Sequence, residues 1–121
     1  MDLYSETILD HYQNPHHGGS LPNPTVTVVE LNPLCGDSIQ LDLRVKNGAV
    51  EDIGFTSSGC AISQAAMSLL SDEIIGKKIS ALAKLKPQKI YDLLQVPISP
   101  GRVKCALLGL VALQQAIKKA K

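Results

Sequence analysis

Four side chains hold most of the chemistry available to this chain. Cys35 lies in NPLCGDS, Cys60 in SSGCAIS and Cys105 in SPGRVKCALL, and Asp37 follows Cys35 by two residues. Gly36 between them permits a tight turn, so a thiolate and a carboxylate two apart can face one centre. Three sulfurs and one oxygen make a four-coordinate shell. Zinc accepts both donor types, and an iron–sulfur core takes mainly the thiolates. The spacings are long, 25 residues and then 45, and there is no CxxC pair. On spacing alone two readings stay open. The four are ligands of one site, or the cysteines are small buried apolar residues and Asp37 caps a turn. The polar, Gly-rich setting of each cysteine weighs toward ligation.

Other chemistries have less to stand on. Three cysteines cannot close a disulfide framework, and in a reducing compartment thiols serve as ligands, reactive groups or packed residues. A cysteine-nucleophile hydrolase needs a base, and the three histidines, His11, His16 and His17, all lie in the N-terminal segment. They read as surface groups without a matched partner. Lys104, beside Cys105, reads as a solvated helix-face residue.

These residues must be positioned by a small set of elements. Residues 2–13 read as a helix, with Tyr4, Ile8 and Tyr12 as packing residues and Asp2 and Glu6 near its positive end. NPHHGGSLPNP then reads as a loop, so residues 1–24 form an N-terminal helix and loop that is partly mobile. TVTVVEL (25–31) reads as a strand. Residues 38–45 alternate, with Ile39, Leu41, Leu43 and Val45 on one side and Ser38, Gln40, Asp42 and Arg44 on the other. Asn47-Gly48 is a two-residue hairpin signal, and a third strand follows near Val50 to Thr56. After Ser58-Gly59 the period becomes helical: Ile62, Ala66, Leu69 and Leu70, with Gly76 as the stop. Ser80 reads as the cap of a short helix, Pro87 as the first turn of the next, and Ser99-Pro100 as the start of the last. That last helix points Val103, Leu107, Leu110, Val111 and Ile117 inward. Strands first and helices afterwards predict an α+β sandwich, a three-stranded antiparallel sheet with helices packed on one face.

The whole chain bounds these readings. Its 121 residues are one domain, spanning 1–121, with 45% hydrophobic residues and a mean hydropathy of +0.09, enough for a core. Twelve basic and eleven acidic side chains leave a net charge of +1, which provides no footprint for nucleic acid or an anionic membrane. Aromatic residues are 3%, too few for a base-stacking platform. No apolar run reaches the roughly 18 residues of a bilayer span, and the opening MDLYSETILDHYQ lacks the basic start of a secretory leader. The expectation is a cytoplasmic chain with neither membrane nor nucleic-acid partner.

NPLCGD, SGCAIS and RVKCALL, in that order, resemble the three ligand motifs of the U-type iron–sulfur cluster assembly scaffolds: IscU, the N-terminal part of NifU, and SufU. YSETILDHYQNPHHGG is similar to that family's opening segment, so the resemblance covers nearly the whole chain. It implies the SufE/NifU-like α+β sandwich and a scaffold rather than an enzyme. Such a scaffold meets a cysteine desulfurase, accepts sulfur, holds a transient [2Fe-2S] cluster and passes it to downstream acceptor or carrier proteins. The carried-over ligands are Cys35, Asp37, Cys60 and Cys105. Cys105 is the first candidate sulfur acceptor, with Arg102 and Lys104 as cationic neighbours, and Cys35 the second. In this family the N-terminal helix meets the desulfurase, which provides a docking alternative for Tyr4 and Tyr12. The chain also departs from the housekeeping pattern. Lys104 stands where those scaffolds have His, and a protonated lysine is no ligand. Ile98-Ser99-Pro100-Gly101-Arg102 replaces the segment that specialised Hsp70 chaperones recognise. The insertion that the SufU branch has before the last motif is missing, and the chain runs straight from Leu94 to Ile98 and Ser99. The alternative reading is a zinc-dependent sulfurtransferase of SufU type, in which Zn(2+) orders the site and persulfide sulfur passes to a separate scaffold. A structural zinc module without sulfur chemistry is a third.

Overall fold

The alternation in DSIQLDLRVK fixes which side of the sheet is wet. In the computed structural model, which describes residues 6–32, 36–59, 61–94 and 103–120, that segment is the central strand. The sheet is β1 (Val26–Asn32), β2 (Asp37–Lys46) and β3 (Ala49–Ser58), antiparallel and in that order. Asn47 and Gly48 turn β2 into β3 with φ of 55° and 75°, the double left-handed geometry of a tight hairpin. Val28, Leu41 and Phe55 lie side by side across the three strands, and with Ile39, Leu43 and Ile53 they form the buried face.

Five helices complete the described chain: α1 (Glu6–Gln13), α2 (Ala61–Ile74), α3 (Ile79–Leu82), α4 (Pro87–Leu94) and α5 (Val103–Ala120). α5 packs across β1 and β2, and α2 packs against β3, α5, α4 and α1. One core joins them, with Ile62, Ala66, Met67 and Leu70 of α2 meeting Leu110, Leu113 and Ile117 of α5 over the sheet. This is the α+β layering expected from the order of patterns.

The N-terminal segment returns over the edge of β3. Gly19 N–H donates to the Phe55 carbonyl at 2.7 Å and Phe55 N–H to the His17 carbonyl at 3.2 Å. A Cβ on Gly54 would lie 2.6 Å from the Gly19 carbonyl oxygen, so the two backbones touch only because Gly54 has no side chain.

Three local expectations change. Ser80 is inside α3, whose N-cap is Lys78 without a side-chain cap bond. Val111, expected inward, is 41% exposed on the outer side of α5. Tyr12 is exposed as well, while Ile8 on the same helix is buried, so α1 seats a narrower stripe than its spacing suggests. Tyr4, Ser99 and Pro100 lie outside the described residues.

Candidate metal and sulfur site

The β1–β2 connection and the β3–α2 connection emerge at the same end of the sheet. Asn32 and Asp37 are register partners where the first connection leaves and returns, and Ser38 pairs with Ser58 beside the second. Gly36 N–H donates to the Asn32 carbonyl at 2.8 Å, closing the first turn directly before Asp37. Asp37 is the first residue of β2 and is only 2% exposed. Its side chain lies against Gly59, at φ +141°. A Cβ there would fall 1.9 Å from Asp37 Oδ1. The carboxylate therefore occupies the space a side chain at 59 would need, immediately before Cys60 in the chain.

α5 supplies the third side of this end. Lys104 lines a groove together with Asn32, Leu31 and Val111, so the opening turn of α5 lies beside the Asn32–Asp37 pair. Cys105, next in that turn, is 4% exposed, and Lys104 is exposed. Of the four expected site residues, Asp37 and Cys105 are thus buried at one end of the sheet. Cys35 and Cys60 lie outside the described residues, and their chain neighbours Gly36 and Gly59 both border Asp37. A buried carboxylate in a cradle shaped by a missing Cβ, with a buried thiol on the adjoining helix, is a donor set that suits zinc or an iron–sulfur core.

The histidines are not surface groups without a partner. His11, on the last turn of α1, is 7% exposed and its Nδ1 lies 2.6 Å from Ser68 Oγ. His16 N–H donates to the same hydroxyl at 2.8 Å. His16 Nδ1 and His17 Nε2 take the two oxygens of Asp72, at 2.5 and 3.1 Å. Burial, and then the neighbouring His16, lower the His11 pKa below the ordinary imidazole value, so His11 is neutral at pH 7. The partners come from α2, more than fifty residues away in sequence, and no local pattern announces them.

Among the described residues no helix is long and apolar enough to cross a membrane. The family model of the NifU-like N-terminal domain matches residues 3–121. The zinc-dependent sulfurtransferase SufU of Bacillus subtilis is 35% identical, over 97% of this chain and 90% of that protein. The iron–sulfur cluster assembly scaffold protein IscU of Escherichia coli is 33% identical, over 98% and 94%. Among solved structures, a SufU-type putative iron–sulfur cluster assembly scaffold protein from Fervidobacterium islandicum superposes with a TM-score of 0.83 at 28% identity, covering 94% of this chain and 96% of that one. With the matched span covering almost every residue, the chain belongs to the NifU-like N-terminal domain family.

Proposed function

We propose that this chain is a scaffold on which a [2Fe-2S] cluster is assembled and from which it is passed on, held by Cys35, Asp37, Cys60 and Cys105. The observation that supports this most is the buried Asp37 carboxylate seated against Gly59, at the sheet end where Cys105 is also buried. Relatives named as assembly scaffolds at similar identity point the same way.

The chain's own part in the chemistry is sulfur capture. The donor is a cysteine desulfurase carrying a persulfide. A thiolate of this chain attacks the outer sulfur, a new S–S bond forms here, the donor's S–S bond breaks, and the donor leaves as a thiolate. No net oxidation occurs. Reducing that sulfur to sulfide takes two electrons, which come from an external thiol or electron carrier. Cys105 and Cys35 are the candidate acceptors. Since Cys105 is 4% exposed, a bulky donor reaches it only after its cover moves. Asp37 serves release, because a carboxylate is a poorer ligand than a thiolate for a soft iron–sulfur core. Downstream iron–sulfur acceptor or carrier proteins take the cluster.

A second reading, a zinc-dependent sulfur acceptor, is favoured by Lys104, which gives the position before Cys105 no neutral imidazole. Zinc, held by the same four residues, would keep the thiolates deprotonated and order the site. Metal and acid-labile sulfide content of anaerobically purified protein, with persulfide mapping after incubation with a desulfurase and cysteine, tests both. Iron with equimolar sulfide, and persulfide on Cys105 or Cys35, is the expected result. Zinc without sulfide selects the second reading. Absence of metal, persulfide and desulfurase stimulation together removes both.

A further inference from the structure

A second set of donors lies where the N-terminal segment crosses α2. One nitrogen from His11, one from His16 and one oxygen of Asp72 all lie within 4.8 Å of one another. Two of the three are held by bonds that leave the carboxylate out. The His11 ring is fixed by Ser68 Oγ, and the His16 backbone by Ser68 Oγ on its N–H and by the Ser71 hydroxyl, which donates to its carbonyl at 3.3 Å. His17 Nε2, at 3.1 Å from Asp72 Oδ1, steadies the carboxylate from its far side. We propose that His11, His16 and Asp72 bind a first-row divalent cation of the zinc or ferrous class, with His17 positioning Asp72.

Donor chemistry selects the ion. Two imidazoles and one carboxylate suit borderline divalent metals, whereas calcium and magnesium want oxygen throughout and cuprous ion wants sulfur. Metal–donor bonds of about 2.0–2.2 Å place tetrahedral donors roughly 3.4 Å apart. The widest gap in the set therefore closes by up to about 1.4 Å while the His16–Asp72 contact of 2.5 Å opens, which rotamer changes at His16 and Asp72 allow, because those side chains are 46% and 43% exposed. His11 is the rigid, buried member, held by Ser68. Asp72 lies eleven residues beyond Ala61, the first residue of α2, about 16 Å along the helix at 1.5 Å per residue. The site is separate from the cysteine end, and the proposal does not rest on the assembly function.

Cobalt(II) titration of the metal-stripped full chain, anaerobically and in weak buffer, tests it. Two equivalents are expected. One carries the intense thiolate charge-transfer band. The other carries only weak ligand-field bands and broadens the ring signals of His11 and His16 first. His16→Ala and Asp72→Asn, both at exposed side chains, weaken the second equivalent by more than about tenfold, since even outer partners of metal ligands are worth roughly 10–100-fold. His17→Ala weakens it less, and all three keep the thiolate-bound equivalent. Absence of an equivalent without the thiolate band, or one unchanged in both His16→Ala and Asp72→Asn, overturns the proposal. Because His11 is buried, the ring broadening is read in the unsubstituted chain, where folding is not in question, and broadening that spares His11 and His16 also overturns it. Loss of the thiolate-bound equivalent alone strikes the cysteine centre and leaves this site standing.

Discussion

At Gly59 a single missing methyl group makes room for the Asp37 carboxylate. Its φ of +141° is one that residues with a Cβ rarely adopt, and the Asp37 carboxylate fills the place a Cβ would take. Gly59→Ala therefore carries both backbone strain and a clash. It is expected to cost about 1–3 kcal/mol in urea denaturation and to lower metal or cluster occupancy. Asp37→Ala/Gly59→Ala should recover part of that stability, because removing the carboxylate relieves its overlap with the new methyl group. If the two costs simply add, the clash is not the cause. Asp37→Cys asks a different question at the same position. An all-thiolate shell should slow cluster transfer to an apo-acceptor, and transfer as fast as with Asp37 would contradict a release role for the carboxylate. Asp37 stood out in the sequence because it follows Cys35 across a single glycine, and the structure shows it buried against Gly59. The histidine cluster did not stand out. His11, His16 and His17 meet Ser68 and Asp72 across sequence separations of 52 to 57, which the docking of α1 and the segment after it on α2 brings together.

Among the elements, β2 shows how a correct parity can still mislead. Alternation put Asp42 on the outward face with Gln40 and Arg44, and it is on that face. It is nevertheless buried, because residues 17–25 run across it. Leu21 N–H donates to Asp42 Oδ2 at 3.0 Å and Thr27 Oγ1 to Oδ1 at 2.8 Å. A polar residue on a strand's wet face tells nothing of a strap that arrives from elsewhere in the chain. Asp42→Ala removes the acceptor of both donors; water can answer the hydroxyl of exposed Thr27, which leaves the Leu21 N–H, and a bond to a charged acceptor is worth about 1.5–3 kcal/mol. A loss of about 1.5–3 kcal/mol in chemical denaturation is expected. Faster amide exchange should appear at Leu21 and Gly19, while the α5 core stays protected. Exchange that rises equally everywhere would mean Asp42 supports the whole sheet rather than the strap. Val111 illustrates the converse. Its apolar type matched the α5 stripe, but the helix turns it onto the groove shared with Leu31 and Lys104.

For the whole molecule, cations bound at the two proposed donor sets would act as independent ligands of one cooperative fold. Strand order, hairpin and helix layering followed from period and turn residues, so the frame joining them was largely readable from local pattern. Their separation was not, because it depends on how far α2 extends between Cys60 and Asp72. A ligand that binds only the folded chain stabilises it by about 2.7 kcal/mol at a hundredfold excess over its dissociation constant. For a domain of this size each kcal/mol moves the melting temperature by about 3–6 °C. Saturating zinc should therefore raise the melting temperature by about 8–16 °C from each site it fills to that excess. Cys60→Ser should remove one increment and His16→Ala the other, each measured against the same variant without metal. Sites more than about 10 Å apart contribute additively, to within roughly 0.5 kcal/mol. The double variant should lose the sum. If His16→Ala alone abolished the entire zinc effect, both increments would have to arise at the histidine cluster. The buried end around Asp37 and Cys105 would then be a packed terminus of the sheet rather than a metal centre.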